Sequence, residues 1–318
     1  SSAGDIRAAN CERPVAGLVL HALKPAATAS SASKKRGLKT TGKEERLKGI
    51  MLRILAFFLL LSSIFSPPAA AQSLPGGDFS GLRNGGQARV TQVIDATSLL
   101  LEDGRIVRLV GIDIPDDDPD NPGPLAVTAA QVLQDMLKGK TVTLYLAKTK
   151  NLGQTNRMGH VLAHAARQTD GAWAQGTLIA LGLARVRTTQ RNPDMAMPMY
   201  ALEQPARAAK TGLWADKAWQ ILTPEDAQDH LRSFQIVEGR IMAVAIRDNR
   251  IYLNFGPDWR SDFTVSIAAA DRKRFSRQSL DPLQRNGKTV RVRGWIDSYH
   301  GPYIEADHPE MIEILPQK

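Results

Sequence analysis

Residues 88–116, ARVTQVIDATSLLLEDGRIVRLVGIDIPD, constrain the fold more than any other stretch of the chain. Apolar residues cluster at Val90, Val93 and Ile94, then at residues 99–101, then at Ile106, Val107, Leu109 and Ile112, as three successive strands require. Asp103-Gly104 separates the last two, and Asp-Gly supplies the positive φ that a tight hairpin turn needs. The third segment ends in Gly-Ile-Asp-Ile-Pro, so Asp113 leaves the sheet just before a proline that cannot continue a ladder. Strand ends beside such turns are where barrels gather polar site residues.

The order of motifs around this stretch resembles the staphylococcal-nuclease-like (thermonuclease) family. The residues that carry the resemblance are Val93-Ile94-Asp95-Ala96-Thr97-Ser98, where the family favours V-I-D-G-D-T. They continue with Arg108-Leu109-Val110-Gly111-Ile112-Asp113-Ile114-Pro115-Asp116, where it favours R-L-x-G-I-D-T-P-E. Further matches are Gly139-Lys140-Thr141-Val142, Asn156-Arg157-Met158-Gly159-His160 in place of D-R-Y-G-R, LIALGLARV at 178–186 and ARAAKTGLW at 206–214. The resemblance implies an α+β fold, mainly β with helices: an OB-like barrel with helices packed on it, over residues 88–218.

It also implies a chemistry, hydrolysis of nucleic-acid phosphodiesters with Ca²⁺. A glutamate lies near the attacking water in such a site, and two arginines clamp the phosphate. Hard Ca²⁺ suits carboxylate oxygens, and guanidinium forks match phosphate oxygens. Carried over position by position, Arg108 matches one clamping arginine and Asp113 one calcium aspartate. Thr97 stands where the family has its other calcium aspartate, and Ile114 where it has a threonine whose backbone carbonyl serves. Asp116 replaces the glutamate and shortens its reach, while His160 replaces the second arginine and loses both permanent charge and fork. The expected catalytic residues are thus Arg108, Asp116 and His160, and the expected metal ligands Asp113, Thr97 and Ile114. The rival reading is a fold remnant in which Arg108 pairs with Asp113 or Asp116. The acidic run at 116–120 reads as a solvated loop, or as a source of substitute calcium ligands.

Upstream, Met51-Leu52-Arg53, the apolar run ILAFFLLLSSIF and an A-x-A site before Gln72 have the form of a secretory signal peptide at 51–71, with too short an apolar run for an ordinary membrane span. Export to the periplasm or the exterior follows, with no transmembrane span left after signal removal. Residues 1–50, rich in Ala, Ser and Lys, are expected to be a disordered leader or an extension upstream of a true start at Met51. The charge argument changes with them. Of the 41 Lys and Arg and the 32 Asp and Glu, 11 and 4 lie in residues 1–71, so the +9 of the whole chain falls to +2 for residues 72–318. Affinity for DNA or RNA must then rest on a local patch. The single cysteine, Cys11, also lies upstream, which excludes disulfides and thiolate zinc sites from the remainder.

Residues 72–87 read as a flexible lead-in. Helical spacing appears at 125–137, 173–181 and 199–210, and strand patterns at 141–147 and 159–165. His164 and Trp173 read as packing residues. Arg185, Arg187 and Arg191 read equally as phosphate contacts or as a solvated edge. A linker or short helix at 219–233 leads to five short strands and one helical turn in residues 234–318, which suggests a second, smaller OB-like barrel. There Tyr252, Phe255, Trp259, Phe263, Trp295 and Tyr299 interleave with Arg250, Arg260, Arg291 and Arg293, a mixture able to stack bases and hold phosphates. The competing reading places those aromatics in the barrel core. His300 and His308 read as loop residues. The sequence therefore points to an exported, two-barrel protein that engages nucleic acid through an altered, weakened Ca²⁺ site. The alternative is a non-catalytic envelope module that reuses the fold for a partner the sequence does not identify.

Overall fold

A computed structural model describes residues 73–318 apart from 117, 119, 149–152, 278–281 and 317–318. The expected leader and signal at 1–71 lie outside the described residues. The chain enters at 73–82, and this lead-in is anchored: the Trp173 N–H donates to the Pro75 carbonyl, and the buried Phe79 ring stacks on Tyr145 at 4.1 Å. Strand β1 (Arg83–Asp95) starts five residues before the expected boundary at 88.

Strands β1, β2 (Ser98–Leu101), β3 (Ile106–Leu109), β5 (Thr141–Leu146) and β6 (Val161–Arg167) close a barrel in the order β1-β2-β3-β6-β5. Closure depends on β1. It pairs with β5 through Arg83–Arg89 and with β2 through Val90–Asp95, and register shifts at Asn84/Gln87, Val90/Gln92 and Val93/Asp95 bend it between them. The β3–β6 pairing is parallel. A two-residue ladder, β4 (Ile112–Asp113) against β7 (Arg185–Val186), lies beside the barrel.

Helix α1 (Pro124–Leu137) starts with Pro124, where a missing N–H is harmless, and buries Ala126, Ala129, Leu133, Met136 and Leu137 at three- and four-residue spacing. Gly139, at φ +74°, turns the chain out of it into β5. Helices α2 (Ala174–Ala180) and α3 (Ala196–Ala208) pack beneath the barrel, where Trp173, Leu178, Ile179 and Met199 join its core. His164 and Trp173 are both buried there, as the sequence suggested.

The second domain repeats this plan. Strands β8 (Ser233–Arg240) and β9 (Ala243–Arg247) act as two halves of one bent strand, broken at Ile241-Met242. They are followed by β10 (Arg250–Asn254), β11 (Thr264–Ile267), helix α4 (Arg272–Arg277), β12 (Thr289–Ser298), β13 (Pro302–Glu305) and β14 (Ile312–Ile314). β9 pairs with β10 and β8 with β12, while β11 and β13 run parallel. The order β9-β10-β11-β13-β12-β8 is therefore that of the first barrel, with a helix again between the third and fourth strands. Asp248-Asn249 and His300-Gly301 form the turns before β10 and β13, all four at positive φ. The fold is α+β, with an OB-like barrel carrying helices and a second β domain after it.

Both barrels fall within one compact unit, joined by polar groups. Glu203 on α3 is fully buried and accepts from both terminal nitrogens of Arg293 on β12, from Arg207 and from the Val186 N–H. Burial alone would raise its carboxyl pKa, but the charges of Arg293 and Arg207 outweigh that and hold it below the usual range. The Tyr200 hydroxyl donates to the Glu310 carbonyl, and Thr188 Oγ1 lies 2.8 Å from His308 Nε2. His308 lies in the loop after β13, as expected, and is a buried residue of this junction. The linker is part of it too: Leu222 bridges to Val237 of β8. No helix among the described residues is long and apolar enough to cross a membrane.

Candidate functional site

The turn between β1 and β2 folds around Asp95. Its Oδ1 accepts the Thr97 N–H at 2.7 Å and the Thr97 hydroxyl at 2.9 Å, a local bridge that aspartate forms readily with a residue two positions on. Arg108, opposite Ser98 in the β2–β3 register, donates to Ser98 Oγ at 2.9 Å and approaches Asp95 Oδ2 at 3.4 Å. Its side chain is 45 % exposed. Arg108 therefore pairs with Asp95 and not, as the remnant reading supposed, with Asp113 or Asp116.

Asp113 lies on β4 opposite Arg185 of β7, and two arginines hold it. Arg185 Nε donates to Oδ2 at 2.8 Å and Arg187 NH1 to Oδ1 at 2.9 Å. Arg185 is buried. Burial pushes its pKa down, and the Asp113 charge opposes that shift without cancelling it, so removing Asp113 would leave a buried cation unpaired. Arg187 reaches the surface, held in register by its N–H on the Gly111 carbonyl. Gly111 itself sits at φ +82°, which strains any other residue there, and a Cβ would also lie 2.7 Å from the Met199 methyl and push it aside.

Thr97, Arg108, Asp113, Ile114, Arg187 and Asn192 line a cleft of about 410 Å³ beside these strand ends. The structure thus gathers four of the six expected residues, Thr97, Arg108, Asp113 and Ile114. The other two are placed elsewhere. Asp116 accepts the Leu125 and Ala126 N–H groups, both at 2.9 Å, with one carboxylate oxygen each. It caps the open amino end of α1. His160 is partly buried, its backbone N–H bonded to Asn156 Oδ1, and it is not among the residues that line the cleft. Of the acidic run, residues 117 and 119 lie outside the described residues, and Asp118 accepts the Asp120 N–H within the loop. Arg187, read from sequence only as one of several basic edge residues, is the cleft's second cation. Its position two residues after Arg185, just past the short strand β7, was the available signal.

The donor set does not fit the expected Ca²⁺. A calcium ion takes about six to eight oxygens, several of them carboxylate. Here Asp113 has both oxygens engaged by guanidinium groups, Thr97 Oγ1 donates to Asp95, and Arg108 and Arg187 bring positive charge to the same walls. Among the described residues, no three His, Cys, Asp or Glu come together as a metal would need.

In the second domain, the arginines proposed for phosphates are largely engaged. Arg250 bonds Glu305, Arg291 bonds Glu238 and Glu313, and Arg293 bonds Glu203. Phe255 and Phe263 form core, whereas Trp259, Trp295 and Tyr299 are exposed.

No curated protein matches the sequence. Residues 106–216 match the family described as staphylococcal nuclease homologue. The match takes in Arg108, Asp113, Ile114, Asp116 and His160 and begins after Thr97. Together with the closed barrel and the cleft at its strand ends, it shows that the chain carries a staphylococcal-nuclease-like domain.

Proposed function

We propose that this is an exported protein whose nuclease-like domain engages nucleic-acid phosphate without efficient Ca²⁺-dependent hydrolysis. The observation that carries the reading is Asp113. The carboxylate expected to hold a metal is clamped by Arg185 and Arg187, and the neighbouring anionic ligand position is Thr97. Arg108 and Arg187 both line the cleft and bring two guanidinium groups to it, donors suited to a phosphodiester. Without a metal set, and with Asp116 capping α1, the same groups bind charge but lack a means to generate the attacking hydroxide. Export rests on the signal-like segment at 51–71.

The test is hydrolysis and binding of single-stranded DNA by the purified protein, with calcium and with chelator. The expected result is no calcium-dependent cleavage, with binding that weakens as salt rises. Removing one phosphate contact by Arg108→Ala should lower the log–log salt slope by about 0.7. Calcium-dependent cleavage lost in Arg108→Ala would instead establish a working nuclease. Absent or salt-insensitive binding would favour the scaffold alternative.

A further inference from the structure

Strand β12 carries Arg291, Arg293 and Trp295 at alternate positions, hence on one face. Arg291 is taken up by Glu238 and Glu313, and Arg293 by Glu203 of the first barrel. Trp295, the last in the row, is 52 % exposed. It stands at the end of a ladder of rings and guanidinium groups. The Arg185 guanidinium carbon lies 5.2 Å from the Trp219 ring centre and 4.8 Å from that of Phe234. The Arg187 carbon lies 4.9 Å from Phe234 and 5.7 Å from Trp295. The ladder thus runs Trp219, Arg185, Phe234, Arg187, Trp295, and its last cation is the one that lines the cleft of Arg108.

We propose that Trp295 is a base-stacking platform, contributed by the second barrel to the phosphate cleft of the first, and that the composite site takes single-stranded nucleic acid. The proposal rests on the phosphate-binding reading above. A phosphate held by Arg108 and Arg187 places the adjoining nucleotide within reach of an indole that Arg187 already touches. The cation beneath the ring orders it in advance, so less conformational freedom is lost on binding. A single strand offers the free base face that such stacking uses, whereas bases in a duplex are already stacked. Neither the indole nor the guanidinium groups read the 2′-hydroxyl, so DNA and RNA strands share the required chemistry.

The experiment is fluorescence anisotropy of the full chain with labelled oligothymidylate, oligouridylate and an abasic oligodeoxyribose phosphate of equal length. Trp295→Ala is expected to weaken binding of a base-bearing strand roughly tenfold and to leave the abasic strand unchanged. Trp295→Phe should keep most of the affinity, and Arg108→Ala should weaken all strands. Comparable losses on oligothymidylate and oligouridylate support the platform, whereas a loss confined to one of them overturns a platform indifferent to the sugar. Unchanged oligonucleotide affinity in Trp295→Ala, with a loss in Arg108→Ala, overturns the platform and leaves the phosphate reading standing. An equal loss on the abasic strand overturns it too, because the indole would then act on the cleft and not on a base. Failure of the unaltered protein to bind any strand removes the phosphate reading and the platform with it.

Discussion

Single residues in this protein have taken structural duties where the family resemblance implies chemistry. Asp116 is the clearest: a carboxylate two residues after the barrel mouth ties down the first turn of α1. Asp116→Ala should therefore lower stability by about 1 kcal/mol, as loss of a helix cap does, and denaturant unfolding would measure it. His164 makes a second prediction. It is enclosed by Phe79 and Trp173, with rings 6.3 and 5.5 Å away, and burial pushes its pKa from 6.5 down to about 3. The unfolded chain then binds a proton that the folded chain refuses, so stability falls as pH drops from about 6.5 toward 3. His164→Leu should flatten the slope of melting temperature between pH 6.5 and 5; an unchanged slope would assign the acid sensitivity to other groups.

Two elements, α3 and β12, decide how the barrels meet. Glu203 faces inward from α3 beside Tyr200, and Arg293 reaches it from a strand 90 residues away in sequence. Glu203→Gln leaves Arg293 and Arg207 short of a buried counter-charge and should cost about 3–5 kcal/mol, whereas a double change of Glu203→Leu with Arg293→Met should recover much of that loss. Because the Glu203 pKa is held below its ordinary value, its contribution is present at neutral pH and disappears only as pH falls through that lowered value. A junction melting as a separate transition in strong acid, before either barrel core, would be its calorimetric signature. The same β12 face carries Trp295 beside Arg187 of the cleft, so one strand both docks the domain and, in the proposal above, extends the site.

At the scale of the whole molecule, metal removal is a direct check. A ligand that binds only the folded state at a concentration a hundredfold above its Kd adds about 2.7 kcal/mol of stability. Calcium is expected to add none, so melting curves with calcium and with chelator should superimpose; a clear rise with calcium would show a site that the donor set does not suggest. Much of this architecture was legible in the chain. Alternating apolar residues, Asp103-Gly104 and the helical spacing at 125–137 encode their elements locally, because backbone conformation and side-chain period act over a few neighbours. The motifs likewise marked Thr97, Arg108, Asp113 and Ile114 as one cluster. What the sequence left open was the partner each charged group takes, since a carboxylate reads the same whether it holds a metal, caps a helix or answers an arginine. The β4–β7 ladder chose Arg185 and Arg187 for Asp113, and the turn of the chain before α1 chose the helix end for Asp116. Packing of β12 on α3 sorted Arg293 into the interior and left Trp295 in water. The local pattern determined two barrels and where their polar ends lie; long-range pairing decided which charges cancel, and with them what the cleft has left to bind.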